Sequence, residues 1–134
     1  MKYRKLEGWK YQLMAKKSVI VAGLEAVNAD YPYIKLKNGC LTVAKYYSWD
    51  GATGVPDNPD NMRASLFHDA LYQLMQLGLL DRKYRDVADQ LLRSLCLEDG
   101  MDKFWADQFY NFVHAFGEAH TLPPKKPNGE VIEI

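Results

Sequence analysis

The chain has 134 residues, a formal net charge of zero, and 25% charged against 48% hydrophobic side chains. That length supports one buried core without covalent staples, and the composition excludes wholesale disorder. A neutral chain of this kind is not a dedicated nucleic-acid binder, so no nucleic-acid partner is expected. The neutrality is uneven along the chain. Residues 1–48 carry nine basic and three acidic side chains, and residues 49–134 carry eight and fourteen. This division reads as two layers that dock electrostatically, or as a basic face beside an acidic site.

Two cysteines, Cys40 and Cys96, sit among apolar neighbours. They read as buried thiols of a reducing compartment rather than a disulfide. No apolar signal-peptide core is visible, because Glu7, Lys10 and Gln12 interrupt Leu6 to Leu13. The longest apolar run, Val19 to Leu24, falls far short of the roughly 20 residues that span a bilayer.

The first third reads as β structure. Trp9, Tyr11 and Leu13 alternate with polar residues, Ser18 to Ala22 forms a short run containing β-branched residues, and Pro32 is placed at the start of a strand. Asn38-Gly39 between Lys35-Leu36-Lys37 and Cys40-Leu41-Thr42-Val43 is a strong two-residue hairpin signal. Leu24 to Asn28 is compatible with a turn of helix.

Residues 46–61 hold two glycines, two prolines and several Asp and Asn. No regular structure is expected there, and so long a loop points to function or to tight folding on itself. The period then becomes helical. Asn61 is placed as the cap of a helix bearing Met62, Leu66, Phe67, Ala70, Leu71, Leu74 and Met75, ended by Gly78. Asp81 caps a second helix carrying Val87, Ala88, Leu91, Leu92 and Leu95, ended by Gly100. Asp102 caps a third with the aromatic stripe Trp105, Phe109, Phe112 and Phe116, read as core packing and stopped at Gly117 or at the prolines 123 and 124. Strands followed by helices joined by short links mean an α+β fold with antiparallel helices. Residues 1–120 are expected to form one domain (a β-rich layer 1–48, the loop 49–61 and a helical layer 62–120), and residues 121–134 an extended tail with a strand at Val131 to Ile134.

Of the three histidines, His114 is placed half a turn from the aromatic stripe and hence in solvent, and His120 near a helix end, where an imidazolium suits the dipole. His68 is followed by Asp69, and Tyr72 stands 40° from it on the border of the first helix's apolar stripe. On the second helix Asp86 points away from the apolar stripe, whereas Asp89 lies closer to it, on the side of Cys96. With antiparallel helices, Asp89 can face His68 and Tyr72, the arrangement a histidine general base needs. An ion pair between Arg85 and Asp89 is the competing explanation. Asp50, Asp57, Asp60, Asp69 and the main chain near Gly51 and Gly54 supply oxygen atoms of the kind Ca²⁺ takes, although no EF-hand pattern is present. There is no G-x-S-x-G elbow, Walker A loop or zinc cysteine pattern, and no histidine precedes the His-Asp pair as an HD-type phosphohydrolase requires.

The run Trp49-Asp50-Gly51-Ala52-Thr53-Gly54 with His68-Asp69-Ala70-Leu71-Tyr72, continued through Arg85, Ala88-Asp89, Gly100-Met101 and Tyr110, resembles a family of phage and prophage proteins of unknown function over roughly residues 40–120. The same segment is more distantly similar to the phospholipase A2 superfamily. That resemblance implies His68 as general base, Asp89 as its carboxylate, Tyr72 as support for the dyad, and Asp69 with Trp49, Gly51 and Gly54 as ligands of Ca²⁺. The loop spacing departs from that family, and Ala64, Ser65 and Leu71 stand where its secreted enzymes keep cysteines. The expectation is a calcium-dependent hydrolase of phospholipid or another ester, in the cytoplasm of an infected host or associated with a virion. The alternative is a non-catalytic phage accessory protein, with a protein partner or a homo-oligomer, in which the His-Asp pair is structural.

Overall fold

The computed structural model describes residues 1–7, 10–52 and 56–123. The expectations for Trp9, for Gly54 and for a strand at Val131 to Ile134 lie outside the described residues.

The order is strands first, helices second, an α+β architecture. The strands are β1 (Tyr3–Lys5), β2 (Tyr11–Leu13), β3 (Lys17–Ile20), β4 (Ala29–Tyr31), β5 (Ile34–Lys37), β6 (Cys40–Val43) and β7 (Ser48–Trp49). They form two antiparallel sheets, β1-β2-β7 and β3-β6-β5-β4. The β5–β6 hairpin turns where the composition says it must: Asn38 (φ 52) and Gly39 (φ 79) both take positive φ, as a type I′ turn requires. Along β5 Ile34 and Leu36 are buried while Lys35 and Lys37 are exposed, so one sheet face joins the core.

Three expectations for this region are corrected. Pro32 lies in the turn between β4 and β5 rather than at the start of a strand, because the residue after it, Tyr33, is still turning. Leu24 to Asn28 is turn and irregular chain, not helix. The loop 46–61 contains regular structure after all. Ser48–Trp49 is a strand paired with β2, with Tyr11 opposite Trp49.

The helices are α1 (Met62–Gln76), α2 (Arg85–Glu98) and α3 (Lys103–Phe116), with short 3₁₀ turns at Arg82–Tyr84 and Glu118–Thr121. Asp102 caps α3 by accepting from Phe104 N, and Asp81 caps the turn that leads into α2 rather than α2 itself. Asn61 precedes α1 without a side-chain cap: its amide instead donates to Pro56 O and accepts from Asn58 N, folding the loop onto the helix start. Positive φ at Gly78 and Gly100 marks the ends of α1 and α2.

Cross-helix pairs give the directions. Arg63 reaches Asp99 while Tyr72 reaches Asp89, so α1 and α2 run antiparallel. Arg93 reaches Asp107 while Asp86 is reached by Tyr110, so α2 and α3 do too. One hydrophobic core runs from Leu13, Ile34 and Leu41 of the sheets through Phe67 and Leu71 of α1 to Leu92 and Phe109. α1 is buried on most of its circumference, which is why the side chains it contributes to the site sit deep in the fold. No helix among the described residues is long and apolar enough to cross a membrane.

The aromatic stripe of α3 is also corrected. Ala106, Phe109 and Val113 are buried, whereas Trp105 (62%), Phe112 (37%) and Phe116 (66%) are exposed. The face spaced 106, 109, 113 packs on α2, and the larger aromatics point outward.

Candidate functional site

Asp89, fully buried on α2, is the centre of a three-helix hydrogen-bond network. Its Oδ1 lies 2.7 Å from His68 Nε2 and accepts from the Tyr72 hydroxyl at 2.5 Å. Both groups come from α1, one turn apart, and their rings are in tilted contact, 4.1 Å between centroids with planes 39° apart. Its Oδ2 lies 3.2 Å from His114 Nδ1 of α3. Arg85, the competing partner, is 3.9 Å from Oδ2 and donates instead to the His114 carbonyl at 2.8 Å. The dyad therefore outweighs the i,i+4 ion pair in this fold.

The electrostatics follow from burial and donors. Burial pushes the Asp89 carboxyl up, but the hydrogen bonds from His68, Tyr72 and His114 outweigh it and hold the group below the usual carboxylate range. Burial and the Asp89 charge together raise the Tyr72 hydroxyl well above its ordinary value, so it stays a donor. With Asp89 ionised and acceptor-only, the contact is one that His68 Nε2 donates, which leaves Nδ1 as the ring nitrogen turned away from the carboxylate. Nδ1 has no protein hydrogen-bond partner among the described residues, and it is not an enclosed atom.

His68 lines a cavity of about 400 Å³ whose walls divide by chemistry. Leu92, Phe109, Phe112, Val113 and Phe116 make an apolar side, and Lys10, Asp50, Asp69, Gln73, Gln76 and His120 a polar one. Trp49 and Gly51 also line it. The Trp49 indole is fixed by donating to Ser65 Oγ at 3.0 Å, and Tyr47 by donating to Gln73 Oε1 at 2.9 Å. Trp49, Gly51, His68, Asp69 and Tyr72 thus line one cavity, with Asp89 behind His68 and Tyr72.

Of the four loop and helix acids, only Asp50 and Asp69 face the cavity. Asp57 is turned into the loop, accepting from Tyr11 Oη and Ala52 N, each at 2.8 Å, and it fills the space beside Gly51. Gly51 has φ +84, the backbone angle that favours glycine, and a Cβ there would meet Asp57 Oδ1 at 2.6 Å and displace that carboxylate. Asp60 keeps a buried Oδ1 without a partner and lies outside the cavity lining. Burial and the charge of Asp50 push the Asp69 carboxyl up to about 8. The half-buried Asp69 and the exposed Asp50, which repel each other beside loop main chain, are oxygen donors of the kind a hard cation takes. No cluster of three or more His, Cys, Asp or Glu side chains able to hold a metal occurs among the described residues, so main-chain oxygens would have to complete the set.

One placement adds to expectation and one departs from it. His114 is exposed, as expected, but its ring also contacts Asp89, because the buried face of α3 is 106-109-113 and residue 114 borders it. His120 does not cap α3: it sits in the following 3₁₀ turn and lines the cavity, its carbonyl accepting from Gln76. Asp86 is surface-exposed as expected, although Tyr110 donates to it at 2.6 Å. The spacing of Ala106, Phe109 and Val113 was the available signal for His114; nothing local in the sequence marks Lys10, Gln76 or His120.

No protein-family model matches this chain, and neither a curated protein nor a solved structure matches it.

Proposed function

We propose that this chain is a calcium-dependent hydrolase of lipid esters, of phospholipase A2 type and of phage or prophage origin. The observation that carries the reading is the convergence of His68 Nε2 and Tyr72 Oη on Asp89 Oδ1, with His68 at the cavity wall. In this reading His68 Nδ1 takes a proton from water as the oxygen attacks the ester carbonyl carbon. Asp89 stays ionised and stabilises the resulting imidazolium, which then returns the proton to the departing alkoxide. Asp69, Asp50 and the loop oxygens near Trp49 and Gly51 are the groups that would hold calcium. Bound there, the ion would supply a positive charge for the oxyanion.

The apolar wall of the cavity supports an acyl chain as the group bound. Phe112 and Phe116 line the cavity and are also exposed, so the apolar wall is continuous with the surface. The test is calcium-dependent release of fatty acid from phospholipid vesicles by the purified protein, with His68→Gln and added chelator as controls. Turnover that needs calcium and His68 supports the reading. No turnover above the variant ends it.

One observation favours a second reading, a non-catalytic interaction protein. Phe104 and Trp105 are exposed on α3 but do not line the cavity. They are placed to dock a protein partner or a second copy of the chain, with the dyad acting as a stitch between helices. A stoichiometric complex that survives His68→Gln and is lost in Trp105→Ala would favour this reading.

A further inference from the structure

Asp89 has a second carboxylate oxygen, and the dyad does not use it. That oxygen, Oδ2, is buried, and a buried carboxylate oxygen left without a donor is costly. Its hydrogen-bond partner is His114 Nδ1 at 3.2 Å. Arg85 Nη1, at 3.9 Å, is too distant for a hydrogen bond and is committed to the His114 carbonyl, so it contributes charge but no direction. The other acid near the ring, Asp86, has its Oδ1 3.7 Å from Nδ1 and already accepts from Tyr110 Oη. The His114 ring is held in place by stacking on Tyr110, with centroids 5.3 Å apart and planes 14° apart. The His114 ring is thus oriented from both sides, and among the described residues its one hydrogen-bond partner is Asp89.

A carboxylate gripped at a single oxygen can still swing about that contact. His68 and Tyr72 both grip Oδ1, from the same helix. His114 grips Oδ2 from α3, and the two contacts together fix the carboxylate plane. We propose that His114 is a positioning residue of the dyad: by donating Nδ1–H to Asp89 Oδ2, it holds the carboxylate so that His68 keeps its Nε2–H tautomer and a free Nδ1. The catalytic meaning of this role rests on the hydrolytic reading above; the geometric claim does not.

The test reads the tautomer directly, by ¹⁵N chemical shifts of the histidine side chains at pH 8, in wild type, His114→Phe and His114→Gln. His114 is partly exposed, so both variants are compatible with folding. Wild type is expected to show His68 as the Nε2–H tautomer alone. His114→Phe is expected to show a mixture with the Nδ1–H form, and His114→Gln, whose amide can donate to Oδ2, to restore the single form. Hydrolysis should follow, with kcat about 10-fold lower in His114→Phe at unchanged KM and recovered in His114→Gln. An identical His68 tautomer in all three proteins overturns the proposal. So does a loss in His114→Phe that His114→Gln fails to restore, since ring packing rather than donation would then be at work. If wild type hydrolyses nothing, the hydrolytic reading falls, while the tautomers still decide the role of His114.

Discussion

A methyl group added at Gly117 would meet the hydroxyl of Tyr72 at 2.7 Å. The end of α3 therefore lies close against one of the three side chains that grip Asp89. Gly117→Ala should push Tyr72 Oη away from Asp89 and cost about 1–3 kcal/mol, since the added carbon also meets the Val113 carbonyl. Tyr72→Phe in the same background should recover part of that cost. Urea unfolding of the two single variants and the double variant measures the coupling. Additive costs would show that Gly117 and Tyr72 do not constrain each other.

Asp89 predicts the response to acid. Its folded-state carboxyl lies below the usual range, so its hydrogen bonds contribute stability above the unfolded pKa, about 3.9, and lose it as pH falls through the folded value. Wild type should therefore lose stability steeply on acidification below about pH 4. Asp89→Asn should be less stable by about 3 kcal/mol at pH 7, with a flatter acid limb. Denaturation at a series of pH values checks both.

Asp69 has the opposite sign. Its carboxyl is raised to about 8, so the folded state holds that proton more tightly than the unfolded chain. Stability from this group is full below the unfolded pKa and declines as pH rises toward 8. Asp69→Asn should flatten that decline. If calcium binds at Asp69 as proposed, a carboxyl whose value is raised to about 8 should give up its proton to the ion, up to about one proton per ion at pH 7. Calorimetry in buffers of different ionisation enthalpy measures the release, and Asp69→Asn should abolish it.

The exposed aromatics of α3 predict a split between substrates. Phe104→Ser and Trp105→Ser remove outward side chains that do not line the cavity and should change stability by no more than about 0.5 kcal/mol. If the aromatic face serves lipid aggregates, activity on vesicles should fall while activity on a soluble short-chain ester is kept. Equal loss on both substrates would place these residues in the cavity chemistry instead.

Most of the architecture was legible from local chemistry. Asn38-Gly39 set a hairpin, Asp102 capped a helix, Gly78 and Gly100 ended two, and the spacing of His68, Tyr72 and Asp89 brought them together. What escaped depends on partners distant in sequence. Ser48–Trp49 becomes a strand only because β2 offers it an edge. Asp57 looked available to a cation, yet Tyr11 and the loop's own amide claim it. On α3 both candidate faces are aromatic, so periodicity alone does not choose between Phe109 and the Trp105, Phe112, Phe116 side, and misplacing the face hid His114.

The cavity wall is assembled from Lys10 near one extreme to His120 near the other, with the β2–β7 pairing and the Gln76–His120 contact holding its two sides. The helix pair α1–α2 alone already carries His68, Tyr72 and Asp89, but Lys10 beside β2 and Phe109, Phe112, Val113 and Phe116 of α3 supply much of the cavity wall. In the proposed reading, a chain in which α3 has not docked would therefore hold the dyad without the cavity that gives it a substrate.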